Sequence, residues 1–323
     1  MPTEDGTAVA VIGLGSMGLG MAKALLRAGH EVSGYDIASA ANVALRAAGG
    51  RAGTTPADAA AGTRIVVVVV VNATQTEAAL FGPGGVVPVL APGSVVVSSA
   101  TMAPALAKGL AARCAEHGID YLDAPMSGGA ARAGTGELTF MASGSAAAFE
   151  TARPALTAMA GKVYELGPEV GIGSSFKIVN QLLAGVHIAA ACEAITLASR
   201  LGLDIAKVYE VITASAGNSW MFENRVPHIL DGDYSPKSSV DIFTKDLGIV
   251  SDIGRSEKFP LPMAASALQL FLMTAAAGMG KDDDASVARL LARITGIDLP
   301  KAGSAQDQTT SPAAPRSRPT PTP

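Results

Sequence analysis

Lys177 stands near the start of an apolar run from Phe176 to Gly202 in which no acidic residue appears before Glu193. On a helix, positions three, four and seven further along share one face with it, and these are Asn180, Gln181 and Ala184. The residues at i−4 and i−3, Gly173 and Ser174, are not acidic either. An ammonium group in apolar surroundings without a helical carboxylate gives up its proton more readily than a surface lysine, which suits a proton-transfer role. The same spacing fits a lysine whose stem lies along the helix while its amine reaches water. The pattern by itself leaves both readings open.

A second constellation lies near the N-terminus. Gly13, Leu14, Gly15, Ser16, Met17 and Gly18 form a GxGxxG string between an apolar run at 8–13 and an amphipathic stretch at 16–29. In a strand–turn–helix context the three glycines serve different ends. Gly13 allows a tight turn, Gly15 the close approach of a pyrophosphate, and Gly18 close packing of helix on strand. The free N–H groups that open the helix then meet the phosphate charge. Asp36 follows Gly13 by 23 residues, where a carboxylate accepts hydrogen bonds from the ribose hydroxyls of NAD and repels the 2′-phosphate of NADP. An S-adenosylmethionine site pairs a glycine turn with an acid in a similar way, so a methyltransferase is the rival reading. Three spaced glycines favour the dinucleotide.

The elements that must carry these residues follow from the pattern. Strand-like segments at 8–13, 30–36, 65–71, 94–100 and 119–125 alternate with alanine-rich helical stretches, which implies a doubly wound, mostly parallel α/β sheet of the Rossmann type. The seven β-branched residues of 65–71 read as a strand covered on both faces and are too few to cross a bilayer. A glycine-rich segment at 126–137 follows, and 138–144 resumes the strand pattern. After about Gly167 the β-branched runs stop, and helices are expected at 174–201, 204–216, 239–258 and 262–277. The expected organisation is a dinucleotide-binding domain over 1–167, an all-helical domain over 168–302 entered through a long interdomain helix, and a disordered tail over 303–323, where five prolines accompany no aromatic residue.

Composition narrows the function classes. The 323 residues suffice for two domains, and a net charge of −4 with scattered basic residues speaks against nucleic acid as a partner. Cys114 and Cys192 lack metal-ligand spacing, so neither a zinc site nor a disulfide framework is expected. The first residues carry acids and no basic segment, so no secretory signal is expected, and a cytoplasmic protein without membrane attachment is.

Four segments, “VIGLGSMGLGMAKALLRAGHEVSGYD”, “LDAPMSGGAARAGTGELTFMASG”, “GIGSSFKIVNQLL” and “IFTKDLGIV”, occur in the order and spacing of the β-hydroxyacid dehydrogenase family. The chain resembles that family from about Val9 to Ile297. The resemblance implies that Ser127, Gly128 and Gly129 bind the substrate carboxylate, that Lys177 is the acid/base, and that Asn180 orients substrate and lysine. It further places Lys245 by the cofactor with Asp246 beside it, and Asn72 and Thr101 on the nicotinamide side. Ala100 stands where relatives commonly carry a serine. The implied chemistry is removal of the substrate hydroxyl proton by neutral Lys177 as hydride passes to NAD, in a homodimer or homotetramer. A catalytically silent dinucleotide-binding protein could dispense with Lys177, Asn180 and the SGG segment, so their presence counts against that reading.

Within the family, “VVNATQTEAALFG”, “LLAGVHIAAACEA”, “AGNSWMFENR” and “DGDYSPKSSVDIFTKDLG” resemble the branch that oxidises the 2-hydroxyl of the sugar acid L-threonate to 2-dehydro-L-erythronate. 3-Hydroxyisobutyrate and tartronate semialdehyde are the competing substrates. A polyhydroxylated acid needs polar partners, and Asn218, Ser219 and Asn224 beside Trp220 are candidates; Trp220 and Phe222 also fit a helical core. His187 reads as a core residue, the three adjacent acids at 282–284 as caps of the last helix with no metal bound, and Asp123 as a residue shaping the turn before Pro125.

Overall fold

The computed structural model describes residues 6–302, and the expected tail at 303–323 lies outside them. Six strands form one all-parallel sheet: β1 (Ala8–Ile12), β2 (Glu31–Tyr35), β3 (Arg51–Ala52), β4 (Ile65–Val68), β5 (Val95–Ser98) and β6 (Asp120–Asp123). Their order is β3-β2-β1-β4-β5-β6, so the winding reverses between β1 and β4, where a ligand crevice opens beyond the strand ends. Helices α1 (Ser16–Arg27), α2 (Ser39–Ala47), α3 (Pro56–Ala60), α4 (Ala73–Phe81) and α5 (Pro104–Ala115) make the crossovers. Both faces are buried: Val9, Val11 and Val67 point into one core, while Ala10, Ile12, Val66 and Val68 point into another. The absence of polar alternation in these strands follows from that double cover.

One sequence expectation is corrected here, and a second, the strand at 138–144, is given its place. The run at 65–71 leaves the sheet after Val68, because the flanking strands end there: Val68 pairs with Ile12 on one side and Ser98 on the other. The segment at 138–144 does not extend the main sheet. It forms β8 (Leu138–Ala142) of a small separate sheet with antiparallel β7 (Met126–Ser127) and parallel β9 (Ala160–Glu165), flanked by α6 (Gly129–Thr135) and α7 (Ala146–Met159). Helix α6 packs hard on α1. A Cβ on Gly20 would lie 2.9 Å from the amide nitrogen of Gly134, and Arg27 donates to the Gly134 carbonyl at 2.6 Å.

Beyond β9 the described chain is helical: α8 (Ile172–Arg200), α9 (Ile205–Thr213), α10 (Trp220–Asp231), α11 (Val240–Ser256), α12 (Pro262–Thr274) and α13 (Val287–Thr295). α8 is long and apolar enough to cross a membrane by length and composition, as is the stretch Pro262–Met279. Yet α8 contributes Ile188, Cys192 and Ile195 to the core of the helical half, packed with Val226, Phe243, Leu247 and Phe271. Helix α10 was not among the expected helices, because Pro227 interrupts its pattern. Proline removes the donor that would serve the Glu223 carbonyl, and the Tyr209 hydroxyl donates to that carbonyl at 3.1 Å instead. Cys114 and Cys192 are buried free thiols.

Candidate active site

The glycine string folds as its spacing demands. Gly13 turns the chain at φ +93°, and a Cβ on Gly18 would lie 1.9 Å from the Gly13 carbonyl oxygen, so no side chain fits between helix and strand. A Cβ on Gly15 would meet nothing within 4 Å. α1 begins at Ser16 without a side-chain cap, so no side chain of its own start takes up the first amides, those of Ser16, Met17 and Gly18. Asp36 follows directly on β2. One carboxylate oxygen accepts from the Leu14 amide at 2.7 Å and the other from the Ala38 amide at 2.7 Å, which fixes the carboxylate beside the glycine turn and leaves lone pairs for further donors. Open ground at Gly15, unspent amides and a fixed carboxylate together match the phosphate and ribose of a dinucleotide.

Lys177 is 8% exposed, which removes the reading in which its amine reaches water. Nζ donates to the Met126 carbonyl at 2.8 Å, one residue before Ser127, so the expected proton carrier and the SGG segment meet. Burial pulls its pKa down to about 8; Asp246 opposes that shift and Lys245 adds to it. The carboxylate missing from α8 therefore comes from α11. Asp246, 1% exposed, accepts from the Gln181 amide at 2.5 Å and pairs with Lys245 at 2.7 Å. Lys245 also donates to the Val71 carbonyl at 2.8 Å, tying α11 to the loop after β4. Gly128 and Gly129, at φ +134° and +73°, adopt backbone that favours glycine, and a Cβ on Gly129 would meet nothing within 4 Å. Asn72, Thr101 and Lys245 line one cavity of about 490 Å³ with Ile249 and Ile253.

Residues 8–167 match the model of the NAD-binding domain of 6-phosphogluconate dehydrogenase. Residues 171–291 match the NAD-binding model of NADP-dependent 3-hydroxyisobutyrate dehydrogenase. An L-threonate dehydrogenase of Cupriavidus necator is 53% identical over 90% of this chain and 97% of its own length. One from Escherichia coli (strain K12) is 48% identical over 94% of this chain and all of its own. The crystal structure of 3-hydroxyisobutyrate dehydrogenase from Salmonella typhimurium superposes with a TM-score of 0.84, at 47% identity over 88% of this chain and 99% of that one. The chain belongs to the β-hydroxyacid dehydrogenase family. It is an NAD-dependent dehydrogenase of a small hydroxy acid, and the methyltransferase and catalytically silent readings are set aside.

The remaining candidates of this dehydrogenase sort by position. Asn180 is half-buried and donates to Gln181 at 2.9 Å. Gln181, unassigned by sequence reasoning, is the buried amide that reaches Asp246; its offset of four from Lys177 was the available signal. Asn218 donates to the Thr213 carbonyl at the end of α9 and to the Glu223 carboxylate in α10. Trp220 begins α10 and is 48% exposed, whereas Phe222 is buried and stacks on Tyr209. His187 is half-buried. Of the three adjacent acids, Asp282 pairs with Arg289, Asp283 bonds His228 and caps the turn Asp284–Ser286, and Asp284 pairs with buried Arg225. They therefore knit the helical half together, and the helix they precede, α13, is capped by none of them directly.

Asp123 does more than shape a turn. It is 2% exposed and accepts from the Gly171 and Ser174 amides at 3.0 and 2.8 Å and from the Ser174 hydroxyl at 2.8 Å. Burial raises its pKa, with the bonds from Ser174 and Gly171 acting the other way.

Proposed function

We propose that the chain oxidises the 2-hydroxyl of L-threonate to 2-dehydro-L-erythronate with NAD. The observation that carries the chemistry is the Lys177 amine, buried and held 2.8 Å from the Met126 carbonyl at the edge of the SGG segment, where burial pulls its pKa down to about 8. Bound in the crevice, NAD supplies the acceptor for hydride from the hydroxyl-bearing carbon. Ser127 and the backbone amides of Gly128 and Gly129 hold the substrate carboxylate, where the missing side chains allow close approach. Neutral Lys177 takes the hydroxyl proton, and its ammonium form returns a proton to the developing alkoxide in reduction. Asn180 orients the hydroxyl, Gln181 holds Asp246 toward the amine, and Lys245, Asn72 and Thr101 border the nicotinamide end. Asn218 and Trp220 contact the distal hydroxyls.

Support for the substrate comes from the L-threonate dehydrogenases at about half identity over nearly full length. The Salmonella neighbour favours 3-hydroxyisobutyrate as the second reading. Following absorbance of NADH with L-threonate, D-threonate, D-glycerate and 3-hydroxyisobutyrate separates them: the highest kcat/KM is expected for L-threonate, and preference for any other acid overturns the assignment. Asp36→Ala is expected to raise Kd for NADH by about tenfold, the worth of a charged hydrogen bond, and to weaken NADPH less, because the repulsion of its phosphate is lost as well. Equal weakening in a fluorescence titration removes Asp36 from the ribose.

The same reading places 1–167 and 168–302 as two cytoplasmic domains working as a homo-oligomer. On α8, Phe176, Val179, Leu183 and Leu197 recur at helical spacing with about half of each exposed, an apolar stripe suited to a second copy. Light scattering that returns the mass of a single chain at micromolar concentration contradicts it.

A further inference from the structure

Helix α8 reaches Lys177 less than one turn after Ser174, a rise of about 4.5 Å, so whatever holds the first turn also sets the height of the amine. Gly171 caps this helix in a left-handed conformation and offers no side-chain bond. The amides that open α8 are served from the strands instead. Asp123 takes those of Gly171 and Ser174, and the Ser143 hydroxyl accepts from Gly173 at 2.9 Å. Gly173 seats the helix directly on the strands, since a Cβ there would lie 2.4 Å from the Met141 carbonyl oxygen and 2.5 Å from that of Asp123.

The far end of the same short segment holds the amine itself. Asp123, Ala124, Pro125 and Met126 run from the helix clamp to the Met126 carbonyl that accepts from Lys177. This segment is pinned along its length. Asp123 and Ser143 exchange backbone bonds at 3.0 and 2.9 Å, the Ala124 amide donates to Ser98 at 2.8 Å, and the Pro125 carbonyl accepts from Met141 at 2.9 Å. Pro125 also fixes its own φ. Four residues therefore set both the start of the helix and the resting place of the amine it carries.

We propose that Asp123 is a positioning residue for the reaction: by clamping the first turn of α8 to β6 it fixes the Lys177 amine against the SGG segment and keeps it out of water. The proposal rests on Lys177 as acid/base. It acts through hydrogen-bond geometry, because an asparagine can reproduce all three contacts, its oxygen accepting the two amides and its nitrogen donating to the Ser174 hydroxyl.

The test compares Asp123→Ala, Asp123→Asn and Ser174→Ala in the full chain, with folding checked by circular dichroism. Asp123→Ala is expected to lower kcat by about a hundredfold, the scale of an ångström of misplacement, with Kd for NADH within about twofold because the glycine turn is untouched. Its pH–rate midpoint moves upward from that of the native enzyme, as water reaches the amine. Asp123→Asn restores kcat to within about fivefold and returns the midpoint. Should the alanine variant fail to fold, Ser174→Ala, which removes one contact side chain, is expected to shift the midpoint in the same direction with a smaller loss of kcat. A folded Asp123→Ala with native kcat and midpoint overturns the proposal, as does a loss that asparagine leaves uncorrected. The midpoint is also read without turnover, from the pH dependence of Lys177 acylation measured by mass spectrometry. A shift there in an enzyme inactive on every acid tried would keep the clamp and discard the substrate assignment.

Discussion

Lys177→Ala is expected to lower kcat for hydroxy-acid oxidation by about a thousandfold, within the range general acid–base catalysis contributes, while NADH binds with native affinity. The amine meets the Met126 carbonyl and the field of Asp246, and the glycine turn at Gly13, Gly15 and Gly18 is a separate construction. Only the proton acceptor is lost, so kcat and kcat/KM should fall together. Lys177→Arg should be as poor, because a guanidinium stays protonated at any working pH. The native enzyme supplies the complementary test. With a pKa of about 8, set by burial against the pull of Asp246, the amine is mostly charged at neutral pH. Oxidation should therefore rise with pH through about 8 and level off, and reduction, which needs the ammonium form, should fall over the same interval. Stopped-flow traces recorded across that range decide it: native turnover in the alanine variant, or a pH–rate curve without a limb near 8, removes Lys177 from the chemistry.

The second large effect separates the two glycines to which the string assigns different ends. In Gly18→Ala the new methyl would lie 1.9 Å from a backbone oxygen, so helix α1 must move off the strand; overpacking of this kind costs about 1–3 kcal/mol, which lowers Tm and weakens NADH together. In Gly15→Ala the methyl meets nothing within 4 Å and enters the ground that a pyrophosphate takes. Tm should stay native while Kd for NADH rises by at least about tenfold, as a clash with a charged ligand displaces its hydrogen bonds. Thermal melts with and without NADH, run on both variants, check the contrast. Native NADH affinity in Gly15→Ala would place the phosphates elsewhere.

The fold and the glycine turn beside Asp36 were legible because they depend on local rules. Glycine spacing, β-branched runs and a carboxylate at a strand end each act within about two dozen residues, and backbone sterics and burial leave few alternatives. Lys177 stood out for the same reason, as a lone cation in an apolar helix. What stayed hidden is carried across the chain. Asp246 meets Gln181 from 65 positions away, and Asp123 meets Ser174 from 51; no periodicity within either element encodes such a meeting. Pro227 hid α10 because its missing donor is made good by Tyr209, a residue of another helix. The second sheet was missed because β7 has only two residues, too few to show a period.

The contact between Gly20 and Gly134 has a mechanical meaning. Helix α1, which follows the glycine turn, and helix α6, which begins at Gly129 of the SGG segment, meet backbone to backbone, and interiors packed this way transmit displacement without yielding. The glycine turn and the SGG segment thus travel as one solid body.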